Sequence, residues 1–210
     1  MINPLLTPPE PFAALIFDCD GTLANNLPAH YQAWSETLHE YGIEMTFERF
    51  HAITGMSTAD IILSLNKEFD CQLSVKALSE AQETRYTRLI SKVTDVRPVV
   101  DLARQYRGKV PLAVASGSGR FHVYSTLEHL GLYDLFDAIV TSDDVPNNKP
   151  FPDILLTAAS RLNVSPAGCV MYEDSNSGIE AAERAGMRVV DIRVLFFQDP
   201  LARYRWPDIQ

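Results

Sequence analysis

The sequence is poor in cysteine and in basic residues, and it contains no long hydrophobic run. Its three cysteines, Cys19, Cys71 and Cys169, lack the number and spacing of a disulfide framework or a zinc site. The 18 Lys and Arg are outnumbered by 27 Asp and Glu, and the net charge of −9 disfavours nucleic acid or an anionic membrane as a partner. No apolar stretch is long enough to cross a bilayer, and residues 1–11 lack the regions of a signal peptide. These shortages predict a cytoplasmic protein.

What the sequence does contain is an alternation of strand and helix patterns. Five short apolar runs bounded by turn residues are typical of buried parallel strands, at residues 13–17, 110–115, 138–140, 169–172 and 189–192. Helical patterns with a Gly or Pro at one end separate the later runs, at residues 120–130, 153–162 and 177–185. The alternation predicts an α/β fold with a doubly wound, Rossmann-like parallel-sheet core.

Residues 27–93 have a different pattern, with helical periodicity and no convincing strand. Ser57 to Asp60 form a capping-box sequence ahead of an apolar run, which is the signature of a helix start. The sequence therefore predicts an all-helical domain of residues 27–93, inserted into a core formed by residues 11–26 and 94–210.

The last residues, 194–210, are rich in large apolar side chains. We expect these to pack on the core, although a partner site is the alternative: Leu195, Phe196, Phe197, Tyr204 and Trp206. The role of this tail stays open, and the oligomeric state is expected to be a monomer or a weak homodimer.

Two carboxylates follow the first predicted strand. Asp18 and Asp20 are two residues apart, so their side chains leave an extended chain on the same side. Carboxylates that are close repel each other, and one pKa rises unless a cation intervenes. Gly21 allows the tight turn that follows. An ordinary Asp-Gly turn would also explain the motif, so it is a moderate signal alone.

Polar groups also follow three later strands, at the sheet edge where ligands bind in such folds. Ser116 and Gly117 form a small-residue loop whose N–H groups suit a phosphate. Lys149 lies in a segment stiffened by prolines, and Glu173 and Asp174 are adjacent acids that a hard cation such as Mg²⁺ would neutralise. The loop at Ser116 and the lysine at position 149 have plainer interpretations as a surface loop and a surface lysine, but the ordered set is a strong signal.

This ordered set resembles the haloacid dehalogenase superfamily phosphatases, in the branch that carries a helical cap after the first strand. The resemblance extends from about residue 12 to residue 194. The first motif is Asp18-Cys19-Asp20-Gly21-Thr22, and the later motifs are Ser116, Lys149 and Glu173-Asp174. The layout is similar to that of β-phosphoglucomutase and the small sugar-phosphate phosphatases.

The resemblance implies a Mg²⁺-dependent hydrolysis of a small hexose monophosphate through an aspartyl-phosphate intermediate. Asp18 is the implied nucleophile, and Asp20 is the implied general acid and base. The implied metal ligands are Asp18, the backbone carbonyl of Asp20, and Asp174, with Glu173 next to the metal or its water. The implied phosphate-binding residues are Ser116, Gly117 and Lys149.

Two other functions remain open. In a phosphosugar mutase that resembles this chain, a His at the position of His30 acts on the acid; a surface His on an amphipathic helix is the equal alternative. The cations that hold a second phosphate are replaced here by Thr58 and Gly119. Arg120 compensates in part, so hydrolysis ranks above isomerisation. A receiver-like phosphoprotein also phosphorylates an Asp beside Mg²⁺, but it has no helical insert. Asn25 stands where many relatives have an acid, with no assigned effect.

Overall fold

The computed structural model describes residues 3–205. Its largest sheet has five parallel strands in the order β5-β4-β1-β6-β7, and a second sheet pairs β2 with β3 antiparallel. The strands are β1 Ala14–Phe17, β2 Ala24–Asn25, β3 Thr94–Asp95, β4 Leu112–Ala115, β5 Ala138–Val140, β6 Cys169–Glu173 and β7 Arg188–Asp191. The chain is therefore an α/β protein with a doubly wound parallel sheet, as predicted.

Eight α-helices accompany these strands in the described part of the chain. They are α1 Leu27–His39, α2 Phe47–Ile53, α3 Thr58–Phe69, α4 Val75–Leu89, α5 Arg97–Tyr106, α6 Arg120–His129, α7 Asp153–Arg161 and α8 Asn176–Arg184. No helix among residues 3–205 combines the length and the apolar character needed to cross a membrane.

The central strand β1 is buried on both faces because helices cover both sides of the sheet. Its Leu15 and Phe17 pack in one cluster with residues of α5 and α6, and its Ala14 and Ile16 pack in another with residues of α7 and α8. This alternation follows from the two-residue period of a strand. It explains why β1 is a continuous apolar run and not an alternating one.

The first four α-helices form what we call the helical segment, residues 27–92. Ser57 and Ser74 cap α3 and α4 by accepting from the backbone N–H three residues on, so the predicted helix start at Ser57 is confirmed. Trp34, Leu38 and Leu78 share one hydrophobic cluster inside this segment. The exact domain boundaries remain a prediction.

The tail differs in part from expectation. Leu195 and Phe196 pack against the core, but Phe197 is 85% exposed, and Tyr204 packs against the helical segment. The expectation that the tail aromatics pack on the core was therefore wrong for Phe197 and Tyr204. Trp206 lies outside the described residues.

Candidate active site

The site lies at the carboxyl edge of the five-stranded sheet. Asp18 directly follows β1, and Asp174 directly follows β6, which is hydrogen-bonded to β1 in parallel. Ser116 directly follows β4, the neighbour of β1 on its other side. Parallel strands bring their carboxyl ends to one edge, so residues distant in sequence come together here.

A lysine joins two of the acids. Lys149 Nζ donates to Asp18 Oδ1 at 2.7 Å and to Glu173 Oε2 at 2.8 Å. The side chains of all three residues are at least nine-tenths buried. Buried charged groups are stable only when they are paired. Lys149 therefore holds Asp18 and Glu173 in place and also balances part of their negative charge.

The pKa values of Asp18 and Lys149 are both raised above their ordinary values in this buried cluster. Burial and the charge of Glu173 raise the pKa of Asp18 to about 8, and the opposing effect of Lys149 is smaller. Burial acts to lower the pKa of Lys149, but Asp18 and Glu173 outweigh it and raise that pKa above its usual value. Burial is thus the main cause of the shift of Asp18, whereas the shift of Lys149 arises because its single ammonium group is shared between two buried carboxylates.

Two glycines make room for the acids. A Cβ at Gly178, in the first turn of α8, would lie 1.9 Å from Glu173 Oε2, and a Cβ at Gly21 would lie 2.5 Å from Asp174 Oδ2. Gly21 also has a φ of +86°, which favours glycine. Any other residue at either position would displace an acid from the site.

Asp174 is held by residues that the sequence interpretation missed. Thr22 Oγ1 donates to Asp174 Oδ1 at 2.9 Å, and the buried guanidinium of Arg203 forms an ion pair with Asp174 Oδ2. Arg203 also donates to the backbone oxygen of Asp174 at 3.1 Å. No sequence pattern links residues 174 and 203, so this contact becomes visible only in the fold.

Three of the acids have the arrangement of a metal site. Carboxylate oxygens of Asp18, Glu173 and Asp174 lie within 4.8 Å of one another, and all three residues are buried. Hard divalent cations prefer oxygen donors of this kind. With Asp20, the site holds four carboxylates, and among residues 3–205 the lysine and arginine side chains paired with them are Lys149 and Arg203. The donor set therefore fits a divalent cation.

The carboxylate of Asp20 is surrounded by hydrogen-bond donors. Ser118 Oγ at 2.6 Å and Ser116 Oγ at 3.2 Å donate to Oδ2. Oδ1 accepts from Asn26 Nδ2 and lies 3.3 Å from His30 Nε2. Burial opposes ionisation of Asp20, but the hydrogen bonds from His30, Ser118 and Asn26 outweigh it and hold the pKa well below its usual value.

The helical segment contacts the core at Gly55 and Gly117, which line the same cavity as Asp20. A Cβ at Gly117 would lie 2.3 Å from the backbone oxygen of Gly55, and a Cβ at Gly55 would lie 2.6 Å from Ser177 Oγ. Gly55 has a φ of +86°. The loop after α2 therefore lies against the loop after β4 and the start of α8, with no space for side chains between them.

Two cavities adjoin the site. The inner one, of about 50 Å³, is lined by most of the predicted site residues, including Asp18, Asp20, His30, Thr58, Ser116, Gly117, Glu173 and Asp174. An outer cleft of about 630 Å³ reaches Lys149 and Asp174 and is lined also by His51, Asn148, Arg193 and Tyr204. Arg120 lines neither cavity, because its guanidinium pairs with Asp144 at 3.0 Å. The structure thus brings together every predicted site residue except Arg120.

Comparison with known proteins identifies the family. The family model described as haloacid dehalogenase-like hydrolase matches residues 15–192. The chain belongs to the haloacid dehalogenase-like hydrolases. In this family it is 38% identical over 189 residues to "Fructose-1-phosphate phosphatase YqaB" of Escherichia coli (strain K12), which covers 89% of this chain and 99% of that protein.

Two further haloacid dehalogenase-like proteins extend the comparison. The "Phosphorylated carbohydrates phosphatase" of Thermotoga maritima is 31% identical over 178 residues, covering 83% of this chain and 82% of that one. The crystal structure of β-phosphoglucomutase (pgmB) from Clostridium difficile matches with a TM-score of 0.76 at 26% identity, covering 92% of this chain and 99% of that chain. Membership of this hydrolase family favours an enzyme over a receiver-like phosphoprotein.

Proposed function

We propose that the protein hydrolyses a small hexose monophosphate, with Mg²⁺ as cofactor and with an aspartyl-phosphate formed on Asp18. The observation that carries the proposal is the buried cluster of Asp18, Lys149, Glu173 and Asp174 at one sheet edge, with Asp20 beside it. The relatives named for phosphatases of fructose 1-phosphate and of phosphorylated carbohydrates support a sugar ester as the substrate.

Asp18 supplies the attacking oxygen. Its carboxylate forms a bond to phosphorus while the bond from phosphorus to the sugar oxygen breaks, and water then cleaves the acyl phosphate to regenerate the carboxylate. Lys149, 2.7 Å from Asp18 Oδ1, favours the ionised nucleophile and offsets charge on the transferring phosphoryl group. Ser116 and Gly117 line the same cavity and would bind the phosphoryl oxygens.

Asp20 moves the proton. It protonates the leaving sugar oxygen in the first step and accepts a proton from the attacking water in the second. Its donors hold the ionised form in the absence of substrate, so a proton must be acquired as the ester binds. An oxygen leaving group needs this proton, which is why an acid at this position favours ester hydrolysis.

The metal-binding groups would be the carboxylates of Asp18 and Asp174 and the backbone carbonyl of Asp20, with Glu173 adjoining them. When bound, Mg²⁺ neutralises charge on the phosphoryl oxygens and on the crowded carboxylates. The fit rests on the excess of carboxylates over cations and on the raised pKa of Asp18.

Substrate entry requires movement of the helical segment, which we propose acts as the cap. The inner cavity of about 50 Å³ is far smaller than the roughly 300 Å³ or more that small-molecule sites enclose. The contact between Gly55 and Gly117 must therefore separate before a hexose phosphate reaches Asp18. Reclosure would exclude water and bring Thr58 and His30 to the substrate.

The decisive experiment measures release of inorganic phosphate from a panel of phosphorylated metabolites, with Mg²⁺ and with EDTA. We expect hydrolysis of hexose monophosphates in Mg²⁺ only. Asp18→Asn should lower kcat by at least about 10³-fold on every ester, because the amide is a poor nucleophile. Parental rates in the folded variant would show that Asp18 is not the nucleophile.

A second candidate is a phosphosugar mutase, favoured by the structural match to β-phosphoglucomutase and by the contact between His30 and Asp20. Against it, Thr58 carries no charge for a second phosphate, and Arg120 pairs with Asp144. The test incubates β-glucose 1-phosphate with a trace of the bisphosphate. Formation of glucose 6-phosphate faster than inorganic phosphate would reverse the ranking.

A further inference from the structure

Asp20 accepts from a histidine whose two ring nitrogens are both engaged. His30 Nε2 lies 3.3 Å from Asp20 Oδ1, and His30 Nδ1 lies 3.5 Å from Gln82 Nε2. Asn26 Nδ2 is also 3.4 Å from His30 Nε2, but its two protons are donated to Asp20 Oδ1 and Tyr86 Oη. An ionised carboxylate only accepts hydrogen bonds, and an amide nitrogen only donates them. Both contacts are therefore satisfied by one neutral tautomer of His30, with its proton on Nε2.

The amide of Gln82 is oriented in turn by a second histidine. Gln82 Oε1 lies 2.7 Å from Nε2 of His122, and both residues are almost fully buried. The amide oxygen accepts only, so His122 donates from Nε2. Because its oxygen is committed to His122, Gln82 presents its NH₂ group to His30.

His122 is suited to this role because it stays uncharged. Burial lowers the pKa of His122 to about 3. It therefore carries a single ring proton at neutral pH, and the bond to Gln82 fixes that proton on Nε2.

We propose that Gln82 and His122 are positioning residues for Asp20, acting through the tautomer of His30. His122 fixes the amide of Gln82, the amide fixes the proton of His30 on Nε2, and that N–H is directed at the carboxylate of Asp20. The proposal rests on the proposed acid-base role of Asp20. Since His122 lies on α6 of the core while Gln82 and His30 lie on α4 and α1, the series is complete only when the helical segment contacts the core.

The first test compares two esters in Gln82→Met, which keeps the side-chain length but removes both hydrogen bonds. A sugar alkoxide needs protonation as it leaves, whereas p-nitrophenolate needs little. We expect kcat/KM to fall on the order of tenfold for the hexose monophosphate and less than about twofold for p-nitrophenyl phosphate. Equal losses on the two esters would show a structural role and overturn the proposal.

A matched control is Gln32→Met, because the amide of Gln32 donates to Glu36 on its own helix, at 2.8 Å, away from Asp20. We expect this control to retain both activities. The double variant Gln82→Met with His30→Phe completes the comparison. If Gln82 acts through His30, then Gln82→Met should not lower kcat/KM for the hexose monophosphate any further in the His30→Phe background. A second tenfold loss of kcat/KM there would contradict the proposal.

A spectroscopic test needs no substrate. Nitrogen-15 NMR of the imidazole rings should report a single Nε2–H tautomer for His30 in the parent protein and a mixture of tautomers in Gln82→Met. His122→Phe should give the same mixture and serves as the second variant should Gln82→Met fail to fold. An Nδ1–H tautomer in the parent would overturn the proposal. An intact tautomer in a protein that cleaves no phosphate ester would instead overturn the proposed function.

Discussion

Asp18 and Asp20 are two residues apart, yet their surroundings come from different parts of the molecule. Asp18 is held by Lys149, which lies after β5, and lies close to Glu173 at the end of β6. Asp20 accepts from His30 in α1 and from Asn26, the residue directly before α1. The nucleophile is thus fixed by the sheet edge, whereas the acid-base residue depends in part on the helical segment. One site can therefore combine a residue that is held by the sheet edge alone with a residue whose hydrogen bonds need the helical segment in place.

The largest effect is expected for Lys149→Met, which removes the cation shared by the carboxylates at the sheet edge. Removing the ammonium leaves Asp18 and Glu173 buried without their shared cation, so we expect a loss of about 3–5 kcal/mol in the free energy of unfolding. Denaturant unfolding measures the loss, with the exposed Lys76→Met as control. Unchanged stability would mean that the sheet side does not depend on this cation.

The contact between the two halves is tested by Gly117→Ala. Its added Cβ would lie 2.3 Å from the backbone oxygen of Gly55, so the helical segment could not return to its place. We expect kcat/KM for the hexose monophosphate to fall about 10- to 100-fold while the melting temperature changes little. Gly119→Ala, whose Cβ meets its nearest atom at 3.5 Å, should be nearly silent. Equal effects of the two substitutions would refute the importance of this contact.

Acid sensitivity is tested at His122, the residue of α6 that contacts Gln82 of the helical segment. Its pKa is about 3 in the folded protein against an ordinary value of 6.5, so the unfolded chain binds the proton more readily. The stabilising contribution of the neutral ring is therefore present above pH 6.5 and is lost as the pH falls towards 3. We expect the parent to lose up to about 1.4 kcal/mol per pH unit in this window relative to His122→Asn. Urea unfolding at several pH values measures this, with the exposed His39→Asn as control, and parallel profiles would contradict it.

The smallest effect is expected at Ser57, where the helical segment is stabilised independently of the site. Ser57→Ala removes the hydroxyl that accepts from the backbone of Asp60 and caps α3, at a cost of about 1 kcal/mol in the free energy of unfolding. Ser35→Ala is the control, since that hydroxyl donates only to a backbone oxygen within its own helix. If the two variants have the same free energy of unfolding, then the Ser57 cap does not stabilise the protein.

The sequence predicted the sheet side of the site well, and for a physical reason. Buried strands are continuous apolar runs that end abruptly, so Asp18, Ser116 and Asp174 were recognisable by their position at strand ends. The five strands of the main sheet and the helix start at Ser57 were found for the same kind of local reason. The short pair β2 and β3 carried a weak local signal and was missed. The helix α5 was also missed, although its buried residues recur with helical spacing and a proline lies at its start.

The hydrogen bonds between the helical segment and the core could hardly be predicted from the sequence. Asn26, Gln82, Tyr86 and His122 are separated by up to 96 residues in sequence, and each is an ordinary polar residue within a helical pattern or at its start. Tyr86 Oη joins Asn26 at 3.0 Å and Thr126 at 2.7 Å, but only the packing of α4 between α1 and the core brings these groups together. Patterns report burial and periodicity, whereas hydrogen-bond networks across elements are a product of the whole fold.

The contacts of residues 203 and 204 have a consequence for protein engineering. Arg203 holds Asp174, and the neighbouring Tyr204 rests on α2, with its hydroxyl 2.7 Å from His51 Nδ1. Both residues lie beyond the stretch 15–192 that matches the family model. A chimaera that exchanged the helical segment for that of a relative would leave Tyr204 against a foreign surface and disturb Asp174 as well, so the two pieces of chain should be transplanted together.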